Sequence, residues 1–407
     1  MMKNAVVALA LLVAAFAGAL GAEDPGDSWT GFLGTDRSGT VSGSTLPKAL
    51  PESVTREWSI EVGYGDSSPI VQGGRAFSHW GDGDIEGVLA VDLETGVPVW
   101  SRQWARGAVK ISMAGRKHMK GPQATPLAAD GRLFVVGLEG NVRALDLESG
   151  KLLWTKPRGD ERGNPSHGMA VSPLMTERGL FVLAGSNKDG AALLLDPSTG
   201  QALWETAVKT SYSSPTLFEH DGEPFVVFMS SSSVEALSLG TGEVVASFPL
   251  GGGGSKVMTP VRVGSRVLVG TEEVPLTLLD FDGRTFTSVW SNDAIALDMS
   301  TPVAVGEHVV GFSVKKKGQS FSVNAATGAT VGLGPGREGP NSHVVGFEDR
   351  PYVAFLSAEG DLAFQDAETL EVVKSYDVTT SQSWSVPVFV EGGFLVKEET
   401  ELSFFRW

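Results

Sequence analysis

The chain has 407 residues, contains no cysteine and carries a formal net charge of −16. The missing cysteines exclude disulfide bonds, cysteine-ligated zinc and covalently attached c-type haem. The acidic charge disfavours nucleic acids and anionic lipid surfaces as partners of the whole protein. With 51 glycines, 21 prolines and 42% apolar residues, the composition is typical of a β-rich protein with many turns.

Residues 1–22 have the pattern of a secretory signal peptide. Lys3 precedes the apolar run 5–19, and small residues follow it up to Ala22. We therefore expect an exported protein, periplasmic or extracellular, whose mature chain begins near Glu23 and has no transmembrane segment. It is expected not to be a lipoprotein, because there is no cysteine to carry the lipid. The alternative is an uncleaved membrane anchor.

Two elements precede the main body of the chain. Residues 23–53 are rich in glycine, serine and proline and predict an irregular lead-in. Residues 55–62, TREWSIEV, predict a single strand with no obvious neighbour in the sequence.

An internal repeat dominates the rest of the chain. The stretches AVDLETGVPVW, ALDLESGKLLW and LLDPSTGQALW occupy residues 90–100, 144–154 and 194–204. The complete unit, residues 124–154, holds four short apolar segments separated by turns, which suits strands and not helices. The units open at Pro69, Pro126, Pro173, Pro215, Pro260, Pro302, His343 and Pro387. Eight units of about 40–45 residues predict an all-β fold, an eight-bladed β-propeller of four-stranded blades, over residues 54–407.

The recurring aspartate, glycine and tryptophan have structural roles in this interpretation. The aspartates accept hydrogen bonds from turn amides, and the glycines take a backbone conformation that a side chain opposes. The tryptophans pack between neighbouring blades, where each removes about 200 Å² from water. The predicted blade anchors are Asp92, Trp100, Asp146, Trp154, Asp196 and Trp204, with Trp58 in the same role in the strand 55–62. None of them is interpreted as catalytic.

The two ends of the chain are predicted to meet. After Pro387 the sequence has room for only three strands. The strand at 55–62 then completes the eighth blade and leaves no open sheet edge at the seam.

The repeated motif A-x-D-x-x-T/S-G-x-x-x-W resembles the tryptophan-docking repeat of propellers related to the pyrroloquinoline quinone (PQQ) dehydrogenases. Residues 27–40 and 56–78 are similar to exported bacterial PQQ-like repeat proteins, and the superfamily also includes BamB-like scaffold propellers. The resemblance implies the eight-bladed fold and closure by an N-terminal strand. It does not specify function.

The resemblance also indicates what an enzyme of this kind needs. The dehydrogenases hold the quinone with adjacent cysteines and hold calcium with Glu, Asn and Asp, while an Asp acts as base. This chain has no cysteine, and no Glu–Asn–Asp set in it matches that motif. We therefore predict no cofactor and no catalytic residue.

A binding site, if present, is expected at one mouth of the central channel. The segments ahead of each inner strand lead there, and convergent polar groups at a concave mouth are the usual place for a ligand. The candidate residues are His118, Lys120, His167, Tyr212, Lys256, Asp298, His343 and Trp384. Histidines bind zinc or copper, but these three lie on the second, third and seventh units, so no metal site is predicted.

A local basic segment interrupts the acidic chain. Residues 101–123 contain six lysines and arginines and no acidic residue. The segment is either a docking patch for an acidic partner or a solvated loop.

These observations favour an exported, non-catalytic propeller that binds a protein partner or acts as a scaffold in the cell envelope, with no nucleic acid partner. Two alternatives remain open. One is a divergent quinoprotein oxidoreductase that uses PQQ and calcium. The other is a carbohydrate- or small-ligand-binding propeller, for which loop aromatics such as Trp384 and Tyr212 would provide the contacts.

Overall fold

A computed structural model describes residues 28–107, 109, 120–159, 162–163, 165–251 and 256–407. The predicted signal peptide and His118 lie outside these ranges. Two short 3-10 helices, Gly43–Thr45 and Lys315–Lys317, are the only helices in the described part of the chain. The other regular elements there are strands, which we number in chain order.

Strands β3 to β18 build blades 1 to 4. Blade 1 is β3 (Ile70–Gln72), β4 (Arg75–Asp82), β5 (Ile85–Asp92) and β6 (Pro98–Ala105). Blade 2 is β7 (Leu127–Ala129), β8 (Arg132–Val136), β9 (Val142–Asp146) and β10 (Leu152–Lys156). Blade 3 is β11 (Leu174–Thr176), β12 (Gly179–Ala184), β13 (Ala191–Leu195) and β14 (Ala202–Ala207). Blade 4 is β15 (Thr216–His220), β16 (Glu223–Met229), β17 (Ser233–Ser238) and β18 (Val244–Pro249).

Strands β19 to β33, with two from the N-terminal region, build blades 5 to 8. Blade 5 is β19 (Val261–Val263), β20 (Arg266–Val269), β21 (Leu276–Phe281) and β22 (Phe286–Asn292). Blade 6 is β23 (Val303–Val305), β24 (His308–Ser313), β25 (Gln319–Asn324) and β26 (Thr330–Leu333). Blade 7 is β27 (Ser342–Phe347), β28 (Tyr352–Ser357), β29 (Asp361–Asp366) and β30 (Val372–Asp377), with β1 (Thr40–Val41) added beside β27. Blade 8 is β31 (Val388–Val390), β32 (Gly393–Lys397), β33 (Glu401–Arg406) and β2 (Thr55–Glu61).

The all-β, eight-bladed prediction is confirmed, including the closure. Strand β2 pairs antiparallel with β33, and Trp58 lies opposite Phe404 in the register. The blade formed by the two chain ends therefore has four strands like the others.

The repeated tryptophans connect each blade to the next. Trp100 on the outer strand of blade 1 packs near Phe77 of its own blade, with ring centroids 5.8 Å apart. Its indole N–H donates to the carbonyl of Leu147 in blade 2 at 3.1 Å. Gly150, in the same turn, has φ +66°, and a Cβ there would lie 2.5 Å from the Trp100 ring. Only glycine fits this turn, because a side chain is opposed both by the backbone angle and by the indole.

The same docking recurs around the ring. Three further tryptophans each donate the indole N–H to a turn carbonyl of the following blade, at 2.8–3.1 Å. The pairs are Trp58 with Leu93, Trp154 with Pro197 and Trp204 with Leu239. In blade 5, Trp290 makes the equivalent bond to Ala325. The structure thus places all four predicted tryptophans at blade interfaces.

The repeated aspartates cap the turns that receive the tryptophans. Asp146 Oδ1 accepts the Ser149 backbone N–H at 2.8 Å. Asp92 and Asp196 make the same contact with Thr95 and Thr199, each at 2.9 Å. Hydroxyl bonds from Thr95, Ser149 and Ser198, followed by these backbone bonds, hold the pKa of each carboxyl below its usual range, so all three stay ionised at neutral pH.

Blade 6 lacks the tryptophan, and an apolar side chain of the next blade fills the gap. Blade 6 has Gly332 on its outer strand, and Leu370 of blade 7 packs against it. Leu370 is buried although its φ is +63°. At the position of the turn glycine, blade 7 therefore has Leu370, whose side chain occupies the space of the absent indole.

The lead-in crosses one end of the central channel and is not wholly irregular. Trp29 is buried and pairs with Val71 of blade 1 through two backbone hydrogen bonds of 2.9 Å. The Arg37 guanidinium donates to the carbonyls of Pro173 in blade 3 and Pro215 in blade 4, the latter at 2.6 Å. Strand β1 then joins blade 7 in parallel. The segment therefore contacts blades on several sides of the ring.

We expect Trp58→Ala to lower the free energy of unfolding by about 3 kcal/mol, because the seam loses a packed aromatic ring and its bond to Leu93. Trp58→Phe keeps part of the packing and should cost less. Urea denaturation measures both. The exposed start of the same strand supplies the control, Thr55→Ala, and an equal effect of Thr55→Ala and Trp58→Ala would contradict the docking role.

Arg37→Met should lower the free energy of unfolding by about 3 kcal/mol, because it leaves buried carbonyl oxygens without donors. The matched control is Arg262→Met, since Arg262 also contacts the lead-in, through Asp36 at 3.3 Å, but on the exposed surface. We expect that control to cost less than about 1 kcal/mol. Equal melting of the two variants would rule out a bracing role for Arg37.

Candidate functional site

A ring of hydroxyl groups surrounds the channel where the inner strands begin. Each Ser or Thr concerned stands directly before an opening proline, and its hydroxyl oxygen accepts a backbone N–H from the preceding blade. The donor and acceptor pairs are Val386 to Ser68 (2.9 Å), Ser68 to Thr125 (3.2 Å), Thr125 to Ser172 (3.0 Å), Ser172 to Ser214 (3.0 Å) and Thr259 to Thr301 (3.1 Å). The Ser/Thr-Pro openings therefore join five pairs of neighbouring blades near the axis, as the tryptophans do at the perimeter.

A cavity of about 520 Å³ lies on the axis at this ring. Residues at or ahead of all eight inner strands contribute to its wall, and Phe32 contributes to it from the lead-in. The exposed surface of the wall is mainly apolar, although more than half of the lining residues are polar. This is the usual character of a small-molecule or side-chain binding site.

Five of the eight candidate mouth residues line this cavity, namely His167, Tyr212, Asp298, His343 and Trp384. Lys120 and Lys256 do not. Lys120 lies at the surface, where it pairs with Glu399 at 2.7 Å and stacks over the Tyr64 ring at 4.3 Å. Lys256 is fully buried in the protein interior. Its backbone carbonyl accepts bonds from Ser211 and Tyr212, which fixes the segment against blade 4.

His167 and Tyr212 form a polar pair on the cavity wall. The Tyr212 hydroxyl lies 3.0 Å from His167 Nδ1 and 3.1 Å from the Ser166 hydroxyl. The two rings meet edge to face at 5.7 Å. These contacts hold both side chains in position at the cavity.

His343 is a neutral donor at this site. Its Nε2 lies 2.9 Å from the Trp384 carbonyl oxygen, which only accepts, so Nε2 carries the proton. The part of the ring facing the cavity remains accessible, but protein surrounds the rest. This burial lowers the pKa of His343 to about 4. At neutral pH the imidazole therefore adds no positive charge to the cavity.

The cavity has acidic groups in its wall. Burial, and then the nearby charge of Glu272, raise the pKa of Asp298 above its usual range. Among the described residues, the charge that shifts the pKa of Asp298 is that of a carboxylate and not of a lysine or arginine. Asp66, in contrast, has a cationic neighbour. Burial lowers the pKa of Lys397 to about 8, and the charge of Asp66 opposes this shift. The described lining contains no lysine and no arginine.

These residues do not fit the cofactor of the quinoprotein dehydrogenases. The quinone is a carboxylate anion, and the described cavity offers it two aspartates and no cationic side chain. Within the described ranges no cluster of three or more His, Asp or Glu side chains is arranged to hold a metal ion. The chain also lacks cysteine. No chemical step through that cofactor follows from this site.

Sequence reasoning missed a buried charge cluster between blades 1 and 2. Glu86 accepts the Leu138 backbone N–H at 3.0 Å, and Glu139 accepts from Arg143 at 2.8 Å. Burial, and then the charge of Glu139, raise the pKa of Glu86 to about 7. The sequence signal for this cluster was the presence of charged residues within apolar strand sequences, because a buried carboxylate needs partners. The cluster lies in the wall between blades and is not part of the cavity lining.

Comparison with known proteins supports the fold. A family model described as outer membrane protein assembly factor BamB matches residues 116–227, which cover blades 2 and 3 and the start of blade 4. The BamB of Moranella endobia is 23% identical over 207 residues, half of this chain and 47% of that protein. The chain thus spans about half the length of this curated relative.

Solved structures share the architecture at low identity. BamB from Moraxella catarrhalis has a TM-score of 0.63 and 14% identity, covering 87% of this chain and all of that one. Quinohemoprotein alcohol dehydrogenase from Comamonas testosteroni has a TM-score of 0.70 and 12% identity, covering 94% and 81%. At such identities the likeness shows the fold alone. Among the described residues, no helix has the length and apolar character to cross a membrane.

We expect the stability of the wild-type protein to fall as pH rises from about 4.5 to 7, relative to Glu86→Gln. In that range the folded protein keeps a proton on Glu86 that the unfolded chain releases, so unfolding becomes easier as pH increases. The resulting loss of stability is at most about 3 kcal/mol and stays constant above pH 7. Urea denaturation between pH 5 and 8 measures it, with the exposed Glu94→Gln as control. Parallel curves for wild type and Glu86→Gln would show that Glu86 titrates normally.

Proposed function

Because this chain is a PQQ-like β-propeller repeat protein, we propose that it is an exported, non-catalytic module that binds a protein partner in the cell envelope. Its role would be like that of the relatives described as outer membrane protein assembly factors. The signal peptide at 1–22, the lead-in at 23–53 and the propeller domain at 54–407 are parts of this proposal. The periplasm or the extracellular space is the corresponding location.

The observation that carries the proposal is the family match over residues 116–227. It covers complete blades and coincides with no catalytic constellation among the described residues. The outer strands of this region expose apolar side chains, with Leu152, Leu153 and Leu203 each more than 40% accessible. A partner that covers these leucines would gain hydrophobic contact at little entropic cost, because the strands are already ordered.

A second candidate function is the binding of a small ligand in the axial cavity. The mainly apolar wall surface with Tyr212 and Trp384 favours it over quinoprotein catalysis, whose cofactor the described lining does not fit. The two functions use different surfaces of the ring, the perimeter for the partner and the axis for the ligand. Separate variants therefore test them.

Deletion of the gene in its host should lower the amount of outer-membrane β-barrel proteins, measured in purified outer membranes. Wild type should restore them, and the double variant Leu152→Gln/Leu203→Gln should not, because the partner loses its apolar contact. The matched control is Val373→Gln, an exposed apolar residue on the outer strand of blade 7. Melting temperatures of the purified variants verify folding. Unchanged barrel content after deletion, or full complementation by the double variant, would overturn the proposal.

A further inference from the structure

We propose that the axial cavity binds an organic cation, an alkylammonium or guanidinium group on an apolar body, with Asp298 as its counter-charge. This inference is independent of the partner surface on the outer strands. The cation is either a free amine or the side chain of a lysine or arginine from another chain. Both present the same chemistry to the cavity.

The cavity has the size that such a ligand needs. Its volume of about 520 Å³ lies within the range typical of ligand sites. The lead-in contributes Phe32 to the wall, and Arg37 of the same segment is fixed to blades 3 and 4. The hydroxyl ring and the lead-in therefore hold the wall in place before any ligand enters, which reduces the entropic cost of binding.

Charge selects the sign of the ligand. Asp298 is partly buried, and the neighbouring charge that acts on it is another carboxylate, that of Glu272. Two buried cations of the described chain have other contacts. Arg37 donates to backbone carbonyls, and the charge of Lys397 interacts with Asp66. A bound cation would relieve the repulsion at Asp298, whereas an anion would increase it.

Aromatic side chains favour the same kind of ligand. Trp384, Tyr212 and Phe32 all line the cavity. The faces of such rings attract cations, and they also bury the apolar part of an alkylammonium ion. The neutral His343 does not oppose a cation electrostatically. The wall thus combines one unneutralised carboxylate with several ring surfaces.

The test is isothermal titration calorimetry of the full-length protein with three probes that share a phenyl body. Phenethylamine is the cation, 2-phenylethanol the neutral control and phenylacetate the anion. We expect saturable binding of the amine only. A blocked peptide, acetyl-Gly-Arg-Gly-amide, is a fourth probe: binding tighter than the amine identifies a protein side chain as the source, and weaker binding identifies a free amine.

Asp298→Asn should weaken amine binding about tenfold or more, as expected for the loss of a partly desolvated ion pair. The control Asp377→Asn makes the same change in net charge on the exposed outer strand of blade 7 and should bind normally. If Asp298→Asn melts early, Trp384→Leu gives a second measurement and should weaken binding of the amine. Equal binding of alcohol or acid, or an Asp298→Asn affinity within about twofold of wild type, would overturn the proposal. Loss of barrel complementation would not bear on it.

Discussion

The contact between an outer-strand indole and the glycine turn of the next blade is the interaction on which this structure depends. A four-stranded blade is too small to bury its own faces, so its stability comes from its neighbours. The Trp100–Gly150 contact combines packing, a hydrogen bond and a steric requirement at one point. Repetition of this contact sets the distance between blades, and the hydroxyl ring sets it again near the axis. The shape of the cavity follows from both.

The axial cavity has this composition because it is built from segments that escape the repeat. Most side chains of the inner strands are apolar, because these strands pack closely around the axis. The connections ahead of them have no such constraint and carry His167, Tyr212, Asp298 and Trp384. The lead-in, which belongs to no blade, contributes Phe32. The scaffold is therefore repetitive, whereas the surface that a ligand would meet is specific to this chain.

The fold could be predicted from the sequence because its determinants are local and repeated. Asp146, Gly150 and Trp154 stand at fixed spacing, and each has a physical role that its residue type reveals. The closure by β2 followed from counting strands. The positions ahead of the inner strands also indicated which residues lie near the axis, His343 among them. Each of these predictions needed only the pattern of short sequence segments.

The remaining features depend on contacts between distant segments, and no local pattern reports these. Nothing in the sequence near Lys256 shows that its side chain is buried while its neighbours reach the cavity. The path of Arg37 to blades 3 and 4 leaves no periodic signal, and the proximity of Glu86 to Glu139 arises only when two blades pack. The net charge of the chain also does not indicate that the described part of the cavity wall contains no lysine and no arginine.

The seam in blade 8 has a consequence for the order of folding. Ser59 and Ser403 hydrogen-bond at 2.9 Å although 344 residues separate them in the chain. Synthesis begins at the N-terminus, so β2 must remain without its partner strand until almost the whole chain has been made. Contacts this far apart in the sequence form slowly, and a ring that opens within blade 8 must separate these two strands. The final pairing therefore closes the ring late in folding, and removal of β2 would leave blade 8 with three strands and an unpaired edge at the seam.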